Sequence, residues 1–493
     1  MSARLAGVAA LPALPTAALP DASQPLALAS VAELRAGFLA REFTPSEVLA
    51  AVLDRATRFA ALTPFITIDE QGATDAARRA DAIYAADPDA AVRDPLLGVP
   101  ITVKDLIWTR DLRTTRGSLV TENFVPDRDA PAVSRLRAAG AVIVGKTNTS
   151  EGGWKGDAGN RLVGPSANPW NPSYTAGGSS GGAGVAAALG LGAIAVGTDG
   201  GGSVRIPASF CGVVGFKPSF GAIPYVPACP EGLSHIGPLT RTVADAAIAV
   251  EIMSGYDPAD SMSTPGQGFT DTSAHSSPRL RVRVASSLGF ARAGAAQTAA
   301  THRTAEMLAE RGHEVVHSDL DLPDLATTMM TLWAGHEAPS YGDDLASVAE
   351  LLDPGLLALI EYGRTLTARQ LAQAHSDRAA IRAQLHAALD GFDVLLTPTM
   401  PEPAFALGND APPSASRVPI TGLDWTPFTY LLNLTGWPAI SLPAGVSEAG
   451  LPLGVQLVGR LYDDARVLSL ARDIEAASDW RSAYPHLNPT IHP

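Results

Sequence analysis

Short apolar runs and amphipathic segments alternate along this chain from about residue 30 to its end, and this alternation limits the fold more than any single motif does. Thr44-Pro45-Ser46-Glu47 is a capping box with proline at the first helical position, opening a helix through VLAAVLDRATRFA. Phe65-Ile66-Thr67-Ile68 reads as a strand, and DAARRADAIYAA as the helix after it. Pro100 to Val103 is a short strand that ends at Lys104-Asp105; Val133 to Ala139 is helical and Val142 to Val144 a strand. Residues 151–181 are a polar, Gly- and Asn-rich loop, followed by a small-residue helix over Ala183 to Leu189 and a buried strand over Ala193 to Val196. Helices are expected at Thr242 to Met253, Thr301 to Arg311 and Ala368 to Leu389, and strands at Leu280 to Ala285, Glu314 to Val316 and Val394 to Leu396. Such alternation packs as α/β layers around a central sheet. Asp257 to Ser277 and Glu402 to Arg417 read as low-order surface or lid loops.

With 493 residues, 46% of them hydrophobic, the chain can bury a large core. Its net charge of −14 supplies no basic stripe for nucleic acid and is repelled by an anionic membrane. The longest apolar stretch, Ala183 to Gly197, is too short and too rich in Gly and Ala to span a bilayer. The opening MSARLAGVAALPALPTAALPDASQP has an apolar run broken by Pro12 and Pro15, unlike the unbroken core of a signal peptide. Residues 1–29 are therefore read as a flexible tail. Two cysteines, Cys211 and Cys229, make no disulfide framework, which points to a reducing, cytoplasmic setting.

Three motif matches fail on context. Gly140-Ala-Val-Ile-Val-Gly145-Lys146-Thr147 fits a phosphate loop, but its loop positions are β-branched and apolar, so a strand lies inside the motif. His313-Glu314-Val315-Val316-His317 fits a zinc-protease pattern that requires a helix; Gly312 stops the preceding helix and Val-Val favours a strand. Along a strand those histidines stand about 13 Å apart, too far to share an ion. The run Gly177-Gly178-Ser179-Ser180-Gly181-Gly182 contains G-x-S-x-G twice, yet a loop with two prolines precedes it where a hydrolase elbow needs an apolar strand.

The serines still carry chemistry. Thr198-Asp199-Gly200-Gly201-Gly202-Ser203-Val204-Arg205 follows the strand AIAV, and glycines just before a serine let backbone N–H groups converge on one point. Converging N–H groups can hold the oxyanion of a tetrahedral intermediate. Lys104, the GGSSGG run and this segment occur in that order. Together with Gly98 to Asp105, Gly145-Lys-Thr-Asn148-Thr-Ser150-Glu151, Asn168 to Gly182, Ile206 to Pro218, Gly237 to Asp245 and Asn433-Leu-Thr-Gly-Trp-Pro-Ala-Ile-Ser441, they make the chain resemble the amidase signature family, from about Ser30 to about Arg472.

The resemblance implies a single large domain over residues 30–493, with a catalytic core at about 98–245 and a mixed central sheet covered by helices on both faces. It implies a triad of Ser203 as nucleophile, Ser179 on a cis peptide bond as proton relay, and Lys104 as base. Ser180, Asp199 and Arg205 would hold these groups in place, and the N–H groups of Gly200, Gly201, Gly202 and Ser203 would form the oxyanion hole. Gly200 stands where many members carry Ile or Thr, which leaves the N–H intact and should loosen the loop. Free lysine titrates near 10.4, so Lys104 must be neutral to act, and burial among Ile101 and Val103 would lower it. No histidine, metal or cofactor is required.

The activity implied is hydrolysis of a carboxamide C–N bond through an acyl-enzyme, with ester or carbamate cleavage as side reactions. Trp154, Tyr225, Trp333, Trp425 and Phe428 lie in segments that could wall a pocket and would favour aryl or bulky acyl groups. A small-molecule amide is the expected partner, and a homodimer is kept open. Two other readings compete. One is the A subunit of a tRNA-dependent amidotransferase, which hydrolyses glutamine and passes ammonia to partner subunits; Trp425 to Asn433 looks hydrophobic, and no Arg/Asp pair for free glutamine stands out. The other is a non-catalytic binding protein, against which the complete triad argues.

Overall fold

Eleven strands build one sheet: β1 (Phe65–Ile68), β2 (Pro100–Lys104), β3 (Val142–Thr147), β4 (Ile194–Asp199), β5 (Val214–Lys217), β6 (His235–Thr240), β7 (Arg281–Val284), β8 (Glu314–His317), β9 (Val394–Pro398), β10 (Ala439–Val446) and β11 (Pro452–Val458). The computed structural model describes residues 25–87, 93–227, 229, 231–266, 268–269, 279–415 and 424–487. The strand order is β1-β3-β2-β4-β6-β5-β10-β11-β9-β7-β8. Parallel pairs (β2 with β3 and β4, β7 with β8 and β9) flank an antiparallel middle, so the sheet of this single α/β domain is mixed.

Both faces are covered. Alternate residues of a strand point to opposite sides: Ile194 and Val196 of β4 join a core with helix Val243–Met253, whereas Ala195 joins one with helix Gly181–Leu189. The latter helix is buried at every position, which its Gly and Ala content permits.

Two sequence expectations need correction here. The tail reading reaches too far: Ala27, Leu28 and Ala29 are at most 4% exposed, and their carbonyls accept from the guanidinium of Arg241. Residues 1–24 lie outside the described set. The two loops read as low-order are anchored where they are described. Thr264 N donates to Gly221 O, Phe269 is fully buried, and Phe405 O accepts from Thr175 N at 2.9 Å. Residues 267, 270–278 and 416–423 are outside the described set.

Candidate active site

Strands β2 and β4 are parallel neighbours, with Ile101 opposite Ile194 and Val103 opposite Val196, so their C-terminal ends leave the sheet together. Ligand sites of α/β sheets form at such ends. Lys104 comes from β2 and Thr198-Asp199 from β4. Lys104 is fully buried, and its Nζ donates to Ser179 Oγ at 2.7 Å and to Thr198 Oγ1 at 2.8 Å. Burial pushes this amine well below the ordinary lysine range, against the weaker pull of the Asp199 charge. A neutral amine beside two hydroxyls can accept a proton from either. Thr198 was not singled out in the sequence, although it opens the glycine-serine segment.

Ser179 follows Gly178 through a cis peptide bond, just before helix Gly181–Leu189. Ser180 stitches this loop to its neighbours: its N–H donates to Ser203 O at 3.2 Å and its Oγ to Thr198 O at 3.1 Å. The structure thus brings Lys104, Ser179, Ser180 and Ser203 together. Ser203 is 7% exposed and closes the glycine run ahead of helix Arg205–Cys211.

The loop between β4 and Ser203 is held by one buried ion pair. Both side chains of Asp199 and Arg205 are fully buried, joined through Nη2 to Oδ1 at 2.9 Å and Nε to Oδ2 at 3.0 Å. Burial alone would raise the Asp199 pKa, but Arg205, with Lys217 and Asn433, holds it well below the carboxylate range. Arg205 also donates to Thr429 O, Gln456 Oε1 and Asn433 Oδ1, fixing the loop to helix Pro427–Thr435 and to β11.

These contacts orient the loop peptides, because the C=O and N–H of a trans peptide point in opposite directions. Asn433 Nδ2 donates to Asp199 O at 2.9 Å, which turns the Gly200 N–H the other way. Ile206 N donates to Gly202 O at 2.7 Å and does the same for Ser203 N–H. Gly202 corrects the expected oxyanion set: its N–H is taken by Asp199 Oδ1 at 2.8 Å, while Thr429 Oγ1 donates to Gly201 O at 2.8 Å at the other end of that peptide. Among the described residues no acceptor meets the N–H groups of Gly200, Gly201 or Ser203. Gly202 is required for another reason: its φ is +133°, and a Cβ there would stand 2.4 Å from Thr429 Oγ1.

The five aromatic residues divide. The Trp333 indole lies on Gly200 and its Nε1 donates to Trp154 O at 3.3 Å; Gly153, next to Trp154, faces Ser179 Oγ. The Tyr225 side chain is half-buried, its phenol close to Thr198, Arg116, Cys229 and Glu231, and desolvation pushes its pKa well up. Trp425 and Phe428 are packed in the interior. Trp425 stacks on Phe210 and meets Phe405 edge-on in a separate core, and Phe428, 1% exposed, shares a core with Trp154 and Trp333. Both are core residues, their apolar character serving packing.

The rejected motifs sit as their contexts required. Lys146 lies inside β3 with its Nζ donating to Thr109 Oγ1, Thr114 Oγ1 and Ile107 O. His313 and His317 flank or end β8: His313 faces Asp473 and the His317 ring meets His302.

The Amidase family model matches residues 47–468. The A subunit of glutamyl-tRNA(Gln) amidotransferase from Desulforapulum autotrophicum is 35% identical over 92% of this chain and 98% of its own length. An acylamidase from Rhodococcus erythropolis is 33% identical over 92% of this chain and 97% of its own. The crystal structure of a bacterial aryl acylamidase of the amidase signature enzymes superposes with a TM-score of 0.84 at 25% identity, covering 94% of this chain and 99% of that one. With the family's motifs, its sheet and its matched length all present, the chain belongs to the amidase signature family, whose hydrolases act on C–N bonds.

Proposed function

We propose that the protein is a stand-alone amidase that cleaves carboxamides through an acyl-enzyme on Ser203. The observation that carries this reading is the 2.7 Å contact between Lys104 Nζ and Ser179 Oγ in a site where Lys104 is wholly buried. A serine hydroxyl is a weak nucleophile until a neighbour takes its proton. In the proposed reaction Ser203 Oγ attacks the amide carbon while its proton passes to Ser179 Oγ, and the Ser179 proton passes to Lys104 Nζ. The N–H groups of Gly200, Gly201 and Ser203 receive the oxyanion, each such donor being worth about 10²–10³-fold in rate. Lys104 then returns a proton through Ser179 to the leaving amine, and water hydrolyses the ester by the same relay.

Trp154, Trp333 and Tyr225 beside this site support aryl or bulky acyl amides as substrates, with esters and carbamates as side substrates. A cytoplasmic setting is supported by two unpaired cysteines, and among the described residues no helix is long and apolar enough to cross a membrane.

A second reading, an amidotransferase A subunit, is favoured by the relative at 35% identity. The test is to purify the chain alone and assay an arylamide panel beside glutamine, with size-exclusion chromatography of the same sample to detect a homodimer. Arylamide turnover without partner subunits, and none on glutamine, is expected. Glutaminase activity that appears only when amidotransferase partner subunits are added would overturn the stand-alone reading.

A further inference from the structure

Beside the tryptophan-covered glycine lies a second cluster that the proposed hydrolysis does not use. Cys229, Glu231 and His336 each offer one ligand atom, and these atoms all lie within 4.8 Å of one another. Glu231 is 7% exposed; its Oε1 accepts from Ser234 N at 3.2 Å, while Oε2 is sealed from solvent and takes no well-directed hydrogen bond. His336 Nδ1 stands 3.1 Å from that oxygen. Two lone pairs oppose each other there unless a proton or a metal ion lies between them.

A thiol, an imidazole and a carboxylate are the donor set of borderline-soft cations such as zinc, at bond lengths of about 2.0–2.3 Å. Tetrahedral ligands then stand roughly 3.5 Å apart, so the cluster needs a contraction of about an ångström. We propose that Cys229, Glu231 and His336 bind one divalent cation of the zinc class, with the fourth position open to water. The Cys229 proton leaves to solvent as the sulfur–metal bond forms. The surroundings are balanced rather than repulsive to a cation. Arg116 acts on Tyr225 and Glu337, Arg378 Nη1 donates to Glu231 O, and Glu337 lies beside His336.

The site joins two pieces of the proposed active site. His336 follows Trp333 on helix Ala326–Glu337, and the indole covers Gly200. On the other side Ser234 leads into β6, its Oγ 3.2 Å from the position a Cβ on Gly200 would take. An ion bridging the two would brace the helix against the strand, and we expect it to slow amide turnover reversibly.

The test uses the full chain, stripped with EDTA and desalted, then titrated with ZnCl₂ by calorimetry and with CoCl₂ by absorption spectroscopy. One ion per chain and a thiolate-to-cobalt charge-transfer band are expected. Cys229→Ser should abolish the band, and Cys229→Ser and His336→Gln should each weaken zinc binding by roughly tenfold or more. His317→Ala, removing a histidine paired with His302 elsewhere on the chain, should leave binding unchanged. No saturable binding, or binding that survives both cluster variants, overturns the proposal. These readouts do not depend on amide hydrolysis, so a failed amidase assay leaves them intact. Saturated binding with unchanged turnover would overturn the bracing effect.

Discussion

The indole of Trp333 occupies the space a side chain at position 200 would need: a Cβ on Gly200 would stand 2.6 Å from Cζ3 and 2.7 Å from Cη2. Read from sequence, glycine at this position should loosen the loop. In the structure the ring fills the gap, so the glycine and the tryptophan form one arrangement. Gly200→Ala should therefore lower the melting temperature, overpacking costing about 1–3 kcal/mol, and should reduce arylamide turnover. Adding Trp333→Ala should recover part of both losses, with a coupling of about 0.5–3 kcal/mol in a double-mutant cycle. Additive effects would mean the two residues do not share the space.

In the proposed relay, Lys104 works only when neutral. Its pKa is pushed down, so activity should be full above that lowered value and fall as pH drops through it. Lys104→Ala should cost several orders of magnitude, since proton transfer alone is worth about 10²–10⁴-fold. Lys104→Arg should be nearly as poor, because guanidinium stays protonated at any usable pH. Steady-state rates from pH 5 to 10 on all three proteins decide the matter; substantial activity in the arginine variant would reduce Lys104 to a structural cation.

Ser203→Ala should remove essentially all turnover while leaving the circular dichroism spectrum and melting temperature unchanged. A fluorophosphonate probe should label the parent once, at Ser203, by mass spectrometry of the digest. Turnover within tenfold of the parent would point to another nucleophile.

Asp199→Asn should leave Arg205 as an uncompensated buried charge and cost about 3–5 kcal/mol in chemical denaturation. The Asp199 carboxyl is held below its unfolded value by Arg205, so the pair contributes fully at neutral pH. Its contribution is lost as pH falls below about 3.9 toward the folded value. Asn433→Ala keeps both charges but removes the hydrogen bonds to Asp199 O, Asp199 Oδ1 and Arg205, so kcat should fall with little change in KM as the Gly200 N–H loses its direction.

Chelation should not abolish turnover. If EDTA inactivates the purified enzyme and zinc restores the parent and Cys229→Ser but not His313→Ala or His317→Ala, then His313 and His317 are metal ligands after all.

Much of the architecture was legible where local pattern and tertiary role agree: the strand Phe65–Ile68, the helix from Pro45 and the small-residue helix before β4 are all where periodicity and capping place them. Strands β5, β6, β10 and β11 were not read from the sequence. Pro238 in β6 and Pro443 in β10 argue against strands locally, and only pairing with β4 and β11 compensates. In the site, the lysine and serines could be named from motifs. The anchors could not: Arg205 reaches Thr429, Asn433 and Gln456, between 224 and 251 residues away. Nor does sequence distinguish Trp333, which covers the loop, from Phe428, which fills a core, since both are simply large and apolar.

The parallel seam between β2 and β4 makes turnover a gauge of alignment. Side chains on a strand alternate faces, so sliding β2 by a single residue would swing Lys104 to the far side of the sheet, away from Ser179. Such a misaligned chain would keep its helices, its hydrogen-bonded ladder and nearly all of its buried apolar surface, and spectroscopy would score it as native. A measurement of specific activity per folded molecule would expose it at once.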